Sequence, residues 1–343
     1  MSPIIAHIKT FALALLGAVR ALYFKARQSP LEAEAILVGI ILMAAAIQEP
    51  GGAPRRTDGR IVISGEAVEP NALEETFSAF GYLLDDVRTG DTLVPRLIVS
   101  SMPEGLKDIR VIDRRKRLFF RLVLPLILTT NESIESDRAR LLAIGQSVDE
   151  NSNEEVDISP ENIIWINDLA ARYNIDPLED DLTIKDLVGV LAVRVAPVPT
   201  SLALAQAVEE SAWGTSRFAR EGNALFGQWV WNEDAGIVPT DQREGQAYAV
   251  RAFATPLDSV RAYAKNLNTH WAYTSFREQR AEMLNTTGDT DGWTLAQTLT
   301  RYSERGEAYV ESLHTIMRVN RLRSLDDAEL ATPEDMKQMA STS

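Results

Sequence analysis

The chain has 343 residues, 45% of them hydrophobic, no cysteine, and 35 basic against 49 acidic side chains for a net charge of −14. That length and apolar content suit two packed regions with a normal core, while the charge excludes a nucleic-acid binder working by phosphate neutralisation. Without cysteine there is no disulfide framework, thiolate zinc site or cysteine nucleophile, and the scattered His7, His270 and His314 offer no metal-ligand spacing.

The amino terminus speaks to location. Residues 11–19 are apolar, and Ala35 to Ile47 form an unbroken apolar run of thirteen residues. Thirteen is short for a spanning helix and fits a signal-peptide core or a marginal anchor. Lys9, Arg20, Lys25 and Arg27 all precede the run, which would retain them in the cytoplasm and export the rest of the chain. Residues 1–48 are therefore expected to be a signal or inner-membrane-anchor segment. Glu32 and Glu34 are unusual for a signal peptide, and the bland alternative is a buried amphipathic helix.

Residues 49–60, EPGGAPRRTDGR, read as a linker. Beyond it, 61–148 read as an accessory region of mixed helices and short strands, with an extended run at Gly59–Ser64. The stretch from Val111 to Asn131 opens on the basic block Arg114-Arg115-Lys116-Arg117 and turns strongly apolar; Pro125 is expected to divide it into a core helix pair. Asp149 to Glu161 reads as an acidic loop, and helical spacing returns at 162–171 and 182–190. Residues 230–253 read as two or three short strands, after which helices resume over 258–269, 271–284, 293–301 and 306–321. Residues 331–343 are polar and expected to be disordered.

Between these lies the most informative stretch, ALAQAVEESAWGTSRFAREGNALFGQW, from Ala203 to Trp229. As a helix over Ser201–Trp213, it puts Leu202, Ala205, Val208 and Ala212 on one buried stripe, with Gln206, Glu210 and Trp213 on a neighbouring face. Glu210 then sits at the core edge with an indole one turn on. Desolvation there raises a carboxyl pKa and keeps it protonated near neutral pH, as a proton donor needs. Glu209 points about 100° away and is the solvent-facing or ion-paired partner. Gly214 is expected to stop the helix, and Asn223, Phe226, Gly227, Trp229 and Trp231 gather aromatic surface suited to sugar rings.

Gln206 four residues before Glu210, then Glu210-Ser211-Ala212-Trp213-Gly214 and Asn223-Ala224-Leu225-Phe226-Gly227, resemble the Gln-x-x-x-Glu-Ser-x-Trp-Gly and Asn-x-x-Phe-Gly motifs of the bacterial glucosaminidase domain, glycoside hydrolase family seventy-three. Gly236-Ile237-Val238-Pro239, Asn266-Leu267-Asn268-Thr269-His270 and Tyr302-Ser303-Glu304-Arg305-Gly306 bring the likeness closer to its Bax-like branch. It covers residues 160–322 well and 93–142 more loosely.

The resemblance implies an α+β, mostly helical, lysozyme-like two-lobed catalytic domain over 160–325 with a small β-lobe. It also implies an endo-β-N-acetylglucosaminidase that cuts β-1,4 bonds in peptidoglycan without metal or organic cofactor. Glu210 matches the general acid. Tyr302 is the best match to a cleft tyrosine that assists catalysis, although Tyr302-Ser303-Glu304 departs from the usual Tyr-Ala-Thr segment and leaves Tyr309 as an alternative. Gln206, Ser211, Trp213, Asn223, Phe226, Gly227, Trp229 and Tyr309 are the expected substrate-binding set. The second carboxylate falls among Glu233, Asp234, Asp241 and Glu244, so inverting, retaining and substrate-assisted courses stay open. The implied partners are peptidoglycan glycan strands outside the cytoplasm and the inner membrane through the first segment. The alternatives are a lytic transglycosylase and a noncatalytic wall-binding scaffold.

Overall fold

The computed structural model describes residues 56–57, 59–64, 68–150, 158–177, 182–230, 236–239 and 249–341. The segment 1–48, most of the linker, Trp231, and the candidates Glu233, Asp234, Asp241 and Glu244 lie outside them. The fold is helix-rich α+β, as expected. Among the described residues no helix is long and apolar enough to cross a membrane.

The accessory region contributes β1 (Arg56–Thr57), β2 (Arg60–Ile63), α1 (Pro70–Ala79), α2 (Leu84–Thr89), β3 (Leu97–Val99) and a single helix α3 (Ile112–Glu150). Pro125 does not break α3, in contrast to the expected helix pair. Every residue from Leu118 to Asn131 except Arg121 is buried, so this central part of α3 is enclosed on nearly all sides, as a helical stretch apolar all round requires. One missing N–H at Pro125 is a local loss that this surrounding packing outweighs. The hydroxyls of Thr129 and Thr130 bond back to the Pro125 and Leu126 carbonyls at 2.6 and 2.9 Å.

The next elements are α4 (Pro160–Arg172), α5 (Ile184–Arg194), α6 (Thr200–Ser211), α7 (Arg217–Gly222), β4 (Trp229–Val230), β5 (Gly236–Ile237) and β6 (Ala249–Arg251). Then come α8 (Pro256–Thr269), α9 (Thr274–Thr287), α10 (Gly292–Ala296), α11 (Glu307–Val319) and α12 (Pro333–Ser341). Caps mark where they start: Ser159 accepts from the Asn162 N–H, Thr183 and Asp186 form a reciprocal box, and Thr255 accepts from the Asp258 N–H. The predicted strand region is a small antiparallel sheet of order β4-β6-β5, with Trp229 opposite Val250 and Gly236 opposite Arg251. In the first sheet β2 runs parallel to β3, Ile61 beside Leu97.

Helix α3 packs against α5, α6 and α8, and one apolar cluster runs from Ile61 to Met336. The two regions read from the sequence therefore share a core. Residues 333–341, expected to be disordered, form α12 with Met336 buried. Val94 bridges to Leu330, and the Arg96 guanidinium donates to the Ala331 carbonyl at 2.6 Å and to Glu132 at 2.7 Å. These contacts hold the carboxyl-terminal segment on the first sheet.

Two contacts fix the start of α6. Asn131 of α3 exchanges both hydrogen bonds with Val198, at 2.8 and 3.1 Å. Asp326, just after a 3₁₀ turn over Leu322–Leu325, accepts from the Ser201 N–H at 2.7 Å. Burial pushes the Asp326 carboxyl from 3.8 to about 6, against the hydrogen bonds from Ser201. Because the folded value is the higher one, the folded state binds the proton more tightly. This favourable term is complete below the unfolded value and is lost as pH rises through about 6. A shift of that size corresponds to about 3 kcal/mol. Asp326→Asn keeps the acceptor without the charge, so it is expected to raise the thermal midpoint at pH 7.5 and leave it unchanged near pH 3. Equal effects at both pH values would show that Asp326 acts through something other than its ionisation.

Candidate active site

Helix α6 is buried on all sides from Thr200 to Val208 and meets open space only at Glu209 and Glu210. It ends at Ser211, two residues before the expected end, because Ala212, Trp213 and Gly214 all take left-handed backbone angles, φ 49°, 61° and 72°. Non-glycine residues resist that conformation, so local bonds must hold it. Ser211 supplies them: its hydroxyl donates to the Ala207 carbonyl and accepts from the Gly214 N–H, and its own carbonyl accepts from the Ser216 N–H. At Gly214 a Cβ would lie 2.9 Å from the Met102 methyl and 3.1 Å from Leu106 and Phe119.

This turn carries Trp213 away from Glu210. Its ring packs edge-on against Phe119 and Phe120 of α3, at 6.0 and 5.3 Å between centroids, with Lys116 above it at 4.8 Å. The indole expected beside the acid is thus a strut between α6 and α3, and it is absent from the cavity lining.

Asn223, φ 53° at the end of α7, is a second strut. Its side chain accepts from the Met102 N–H at 3.0 Å and donates to the Phe253 and Ala254 carbonyls at 3.0 and 3.2 Å. It thereby joins the accessory region, the Asn223–Gly227 loop and the end of the small sheet. Leu225 N–H donates to Ser259 at 3.0 Å, and buried Phe226 lies flat on Tyr263, centroids 3.8 Å apart and planes 9° from parallel.

The wall beside Glu210 is made of tyrosines instead. Tyr309, in the first turn of α11, donates from its hydroxyl to Glu210 Oε1 at 2.9 Å. Tyr302 does not make this bond; its ring stacks parallel on Tyr309 at 5.5 Å and 8°. Of the two tyrosines read from the sequence, Tyr309 is therefore the one hydrogen-bonded to the acid, and Tyr302 is a wall of the cavity. Gln206 is fully buried, so it stands behind Tyr309 instead of facing a ligand. Its amide donates to the Tyr309 oxygen at 2.9 Å and accepts from the Tyr263 hydroxyl at 2.6 Å.

Burial raises the Glu210 carboxyl above the ordinary glutamate range, and the Tyr309 hydrogen bond pulls the other way. Burial also holds the Tyr263, Tyr302 and Tyr309 hydroxyls far above the usual tyrosine range, so they keep their protons. Glu209, one residue earlier, has a different environment: it pairs with Arg305 and accepts from Ser312 at 2.8 Å. It is the ion-paired neighbour that the helix geometry predicts.

Glu210 opens onto a cavity of about 730 Å³, lined by Phe226, Gly227, Gln228, Asn266, His270, Tyr273, Tyr302 and the Ser303-Glu304-Arg305 run. The backbone of Trp229 belongs to β4; its side chain lies outside the described residues. Among the described lining residues the carboxylates are Glu210 and Glu304, and no described group of histidine and acidic residues is arranged to hold a metal. From the sequence Tyr263 and Tyr273 carry no site role, and Asn266 and His270 enter only through the Bax-like run. The signal was there: 263, 266 and 270 recur at helical steps along α8 and its end, and so share one face.

Gly227, φ 31°, stands closest to the other oxygen of the acid: a Cβ there would be 3.4 Å from Glu210 Oε2. Gly227→Ala is expected to lower turnover at least tenfold, because the methyl would occupy the approach to Oε2. The left-handed backbone adds a stability loss of about 1 kcal/mol. Kinetics and a denaturation curve on the same preparation check both parts, and unchanged kcat with the stability loss would show that Oε2 is not the reacting face.

A buried carboxyl with one oxygen tied and one open, on an aromatic cavity, suits proton donation to a saccharide bond. The mannosyl-glycoprotein endo-beta-N-acetylglucosaminidase family matches residues 191–322. Protein bax of Escherichia coli (strain K12) is 31% identical over 224 residues, which cover 64% of this chain and 76% of that protein. No solved structure matches. With Glu210 and Phe226 of the two motifs lining one cavity, Gln206 and Asn223 bracing it from behind, and this extent of identity, the chain belongs to the Bax-like family of glucosaminidase-domain proteins.

Proposed function

We propose that the protein is an endo-β-N-acetylglucosaminidase acting on the glycan strands of peptidoglycan, with Glu210 as the general acid. The observation that carries this reading is the division of labour at Glu210: Oε1 is held by Tyr309, while Oε2 faces the cavity beside Gly227. A carboxyl that stays protonated through burial donates its proton to the glycosidic oxygen as the C1–O bond breaks. The leaving saccharide departs as an alcohol and Glu210 is left as a carboxylate; water then bonds to C1 and gives up a proton to that carboxylate, so C1 ends as a reducing hemiacetal.

Tyr302 lines the cavity with an aromatic ring that can meet a sugar, and Gln228, Asn266 and His270 are polar partners along it. Action on the wall requires the domain to lie outside the cytoplasm, and the run from Ala35 to Ile47 is the segment assigned to export.

A lytic transglycosylase is the second reading, favoured by the presence of only Glu210 and Glu304 as carboxylates among the described lining residues. With Glu210 as the acid and no enzyme carboxylate taking part at C1, the oxocarbenium-like centre is captured by a group of the substrate itself: the N-acetyl oxygen, or a muramic hydroxyl. Incubating the full chain with purified peptidoglycan, then identifying the new ends by mass before and after reduction, separates the readings. N-acetylglucosamine reducing ends support the hydrolase, and anhydro-muramic ends support the transglycosylase. Wall that binds the protein but releases nothing overturns both in favour of a noncatalytic binder.

A further inference from the structure

Behind Glu210 runs a chain of four side chains whose hydrogen bonds all point one way. The Tyr263 hydroxyl donates to Gln206 Oε1 at 2.6 Å, Gln206 Nε2 donates to the Tyr309 oxygen at 2.9 Å, and the Tyr309 hydroxyl donates to Glu210 Oε1 at 2.9 Å. Tyr263, Gln206 and Tyr309 are each at most 1% exposed, so water cannot substitute for any link. The residues come from α8, α6 and α11, and their meeting is a tertiary arrangement that no single helix imposes.

A buried primary amide between two tyrosines has two orientations, and they have opposite consequences. In the observed one, Tyr309 must give its proton to Oε1, and the acid's own proton is left on Oε2, at the cavity. In the reverse, Gln206 Oε1 would take the Tyr309 proton, the Tyr309 oxygen would be free to accept, and Glu210 would donate from Oε1 into the protein. That reversal would also strip the buried Tyr263 proton of the acceptor it has here. An ionised Glu210 offers only lone pairs, so the observed direction is the one that also receives the carboxylate left after proton transfer.

We propose that Gln206, clamped by Tyr263, is a positioning residue: it turns the Tyr309 hydroxyl onto Oε1 of Glu210 and so presents the transferable proton on Oε2, at the Gly227 edge of the cavity. The inference rests on the reading of Glu210 as proton donor, but the direction of the relay has a readout that needs no turnover. Each donor upstream polarises the next, so removing a link weakens the hydrogen bond that stabilises the Glu210 carboxylate and raises the pH at which Glu210 ionises.

The test is a ¹³C-carboxyl NMR titration of the full chain labelled at glutamate, with the Glu210 signal identified by its loss in Glu210→Gln. The relay predicts a graded upward displacement of the Glu210 titration: on the order of one pH unit for Tyr309→Phe, less for Gln206→Met, and a few tenths for Tyr263→Phe. On a cleaved substrate, Gln206→Met should lower kcat about tenfold or more with KM little changed, and its basic limb should move to higher pH.

A Glu210 titration equal to wild type in folded Gln206→Met, alongside a displaced one in Tyr309→Phe, would overturn the relay. Should Gln206→Met fail to give a native near-ultraviolet circular dichroism spectrum, Tyr263→Phe, which removes only a hydroxyl, decides the matter in the same way. Graded titrations from a protein that releases nothing from peptidoglycan would support the relay and defeat the glycosidase reading. Wall cleavage with unmoved titrations would do the reverse.

Discussion

Glu210→Gln is expected to lower turnover on peptidoglycan by about 10²–10⁴, the range for losing a positioned general acid, and at the same time to make the protein more stable at neutral pH. The glutamine keeps an oxygen for the Tyr309 hydroxyl and nearly the same volume, so the cavity and the stacked Tyr302–Tyr309 pair should persist. What it lacks is the proton.

The stability half rests on linkage. Burial raises the Glu210 value above that of an unfolded glutamate. The folded state therefore holds the proton more tightly, and this contribution is complete below the unfolded value and is lost as pH rises through the folded one. At pH 8 the wild type carries a partly buried charge that the glutamine variant does not. Thermal midpoints should thus coincide near pH 4 and separate at pH 8, with the variant higher. A side chain whose removal abolishes activity while relieving the fold is one maintained for chemistry. A midpoint lowered at both pH values would instead make Glu210 a structural residue, and retained turnover would move the acid elsewhere in the cavity.

Part of this was legible in the chain. The stripe of Leu202, Ala205 and Val208, with Gln206 and Glu210 on the neighbouring face, put the acid at the core edge, and the pattern of 230–253 foretold the small sheet. Periodicity reports which face of a helix is apolar, but not what another helix brings to it. Trp213 illustrates the limit: helical phase places it beside Glu210, yet three left-handed residues swing it onto Phe119 and Phe120. Local propensity does not foresee that turn, because the bonds of Ser211 and the space under Gly214 belong to the folded context.

Tyr302 and Tyr309 show the same thing. They lie seven residues apart in sequence and stack in space, and only the meeting of α6 and α11 decides which one reaches Oε1. Pro125 fails as a helix breaker for a related reason: a helix enclosed by α5, α6 and α8 loses one backbone bond there and retains all its packing.

Arg280→Met is expected to destabilise the protein by about 3–5 kcal/mol, the range for removing one partner of a buried charged group, although the residue touches neither acid nor cavity. Arg280 in α9 is fully buried, and its guanidinium donates to four carbonyls at the end of α5 and the turn beyond it: Ala196 at 2.9 Å, Pro197 at 3.1 Å, and Val193 and Arg194 at 3.3 Å each. Val193 and Arg194 are among the acceptors that a helix carboxyl terminus leaves without intrahelical donors, and they carry its negative dipole. Burial lowers the Arg280 value to about 9, which still leaves it charged at neutral pH.

Methionine fills much of the volume but removes the guanidinium from all four carbonyls, leaving Arg194 only the Ala196 N–H at 3.0 Å and Ala196 only the Asn268 amide at 3.1 Å. Lysine should recover less than half of the loss, since one ammonium cannot span four carbonyls that a planar fork reaches together. The strand of chain so released, Val195 to Pro199, leads directly into α6, and Asn268 also donates to the Ala196 carbonyl at 3.1 Å. Loosening it should therefore detach the start of the helix that carries Glu210 and lower kcat before global unfolding sets in. Urea denaturation of wild type, methionine and lysine variants measures the first effect, and turnover in sub-denaturing urea measures the second. A loss under about 1 kcal/mol for Arg280→Met, typical of a surface substitution, would mean that Asn131, Asp326 and Asn268 suffice to hold the helix that carries Glu210.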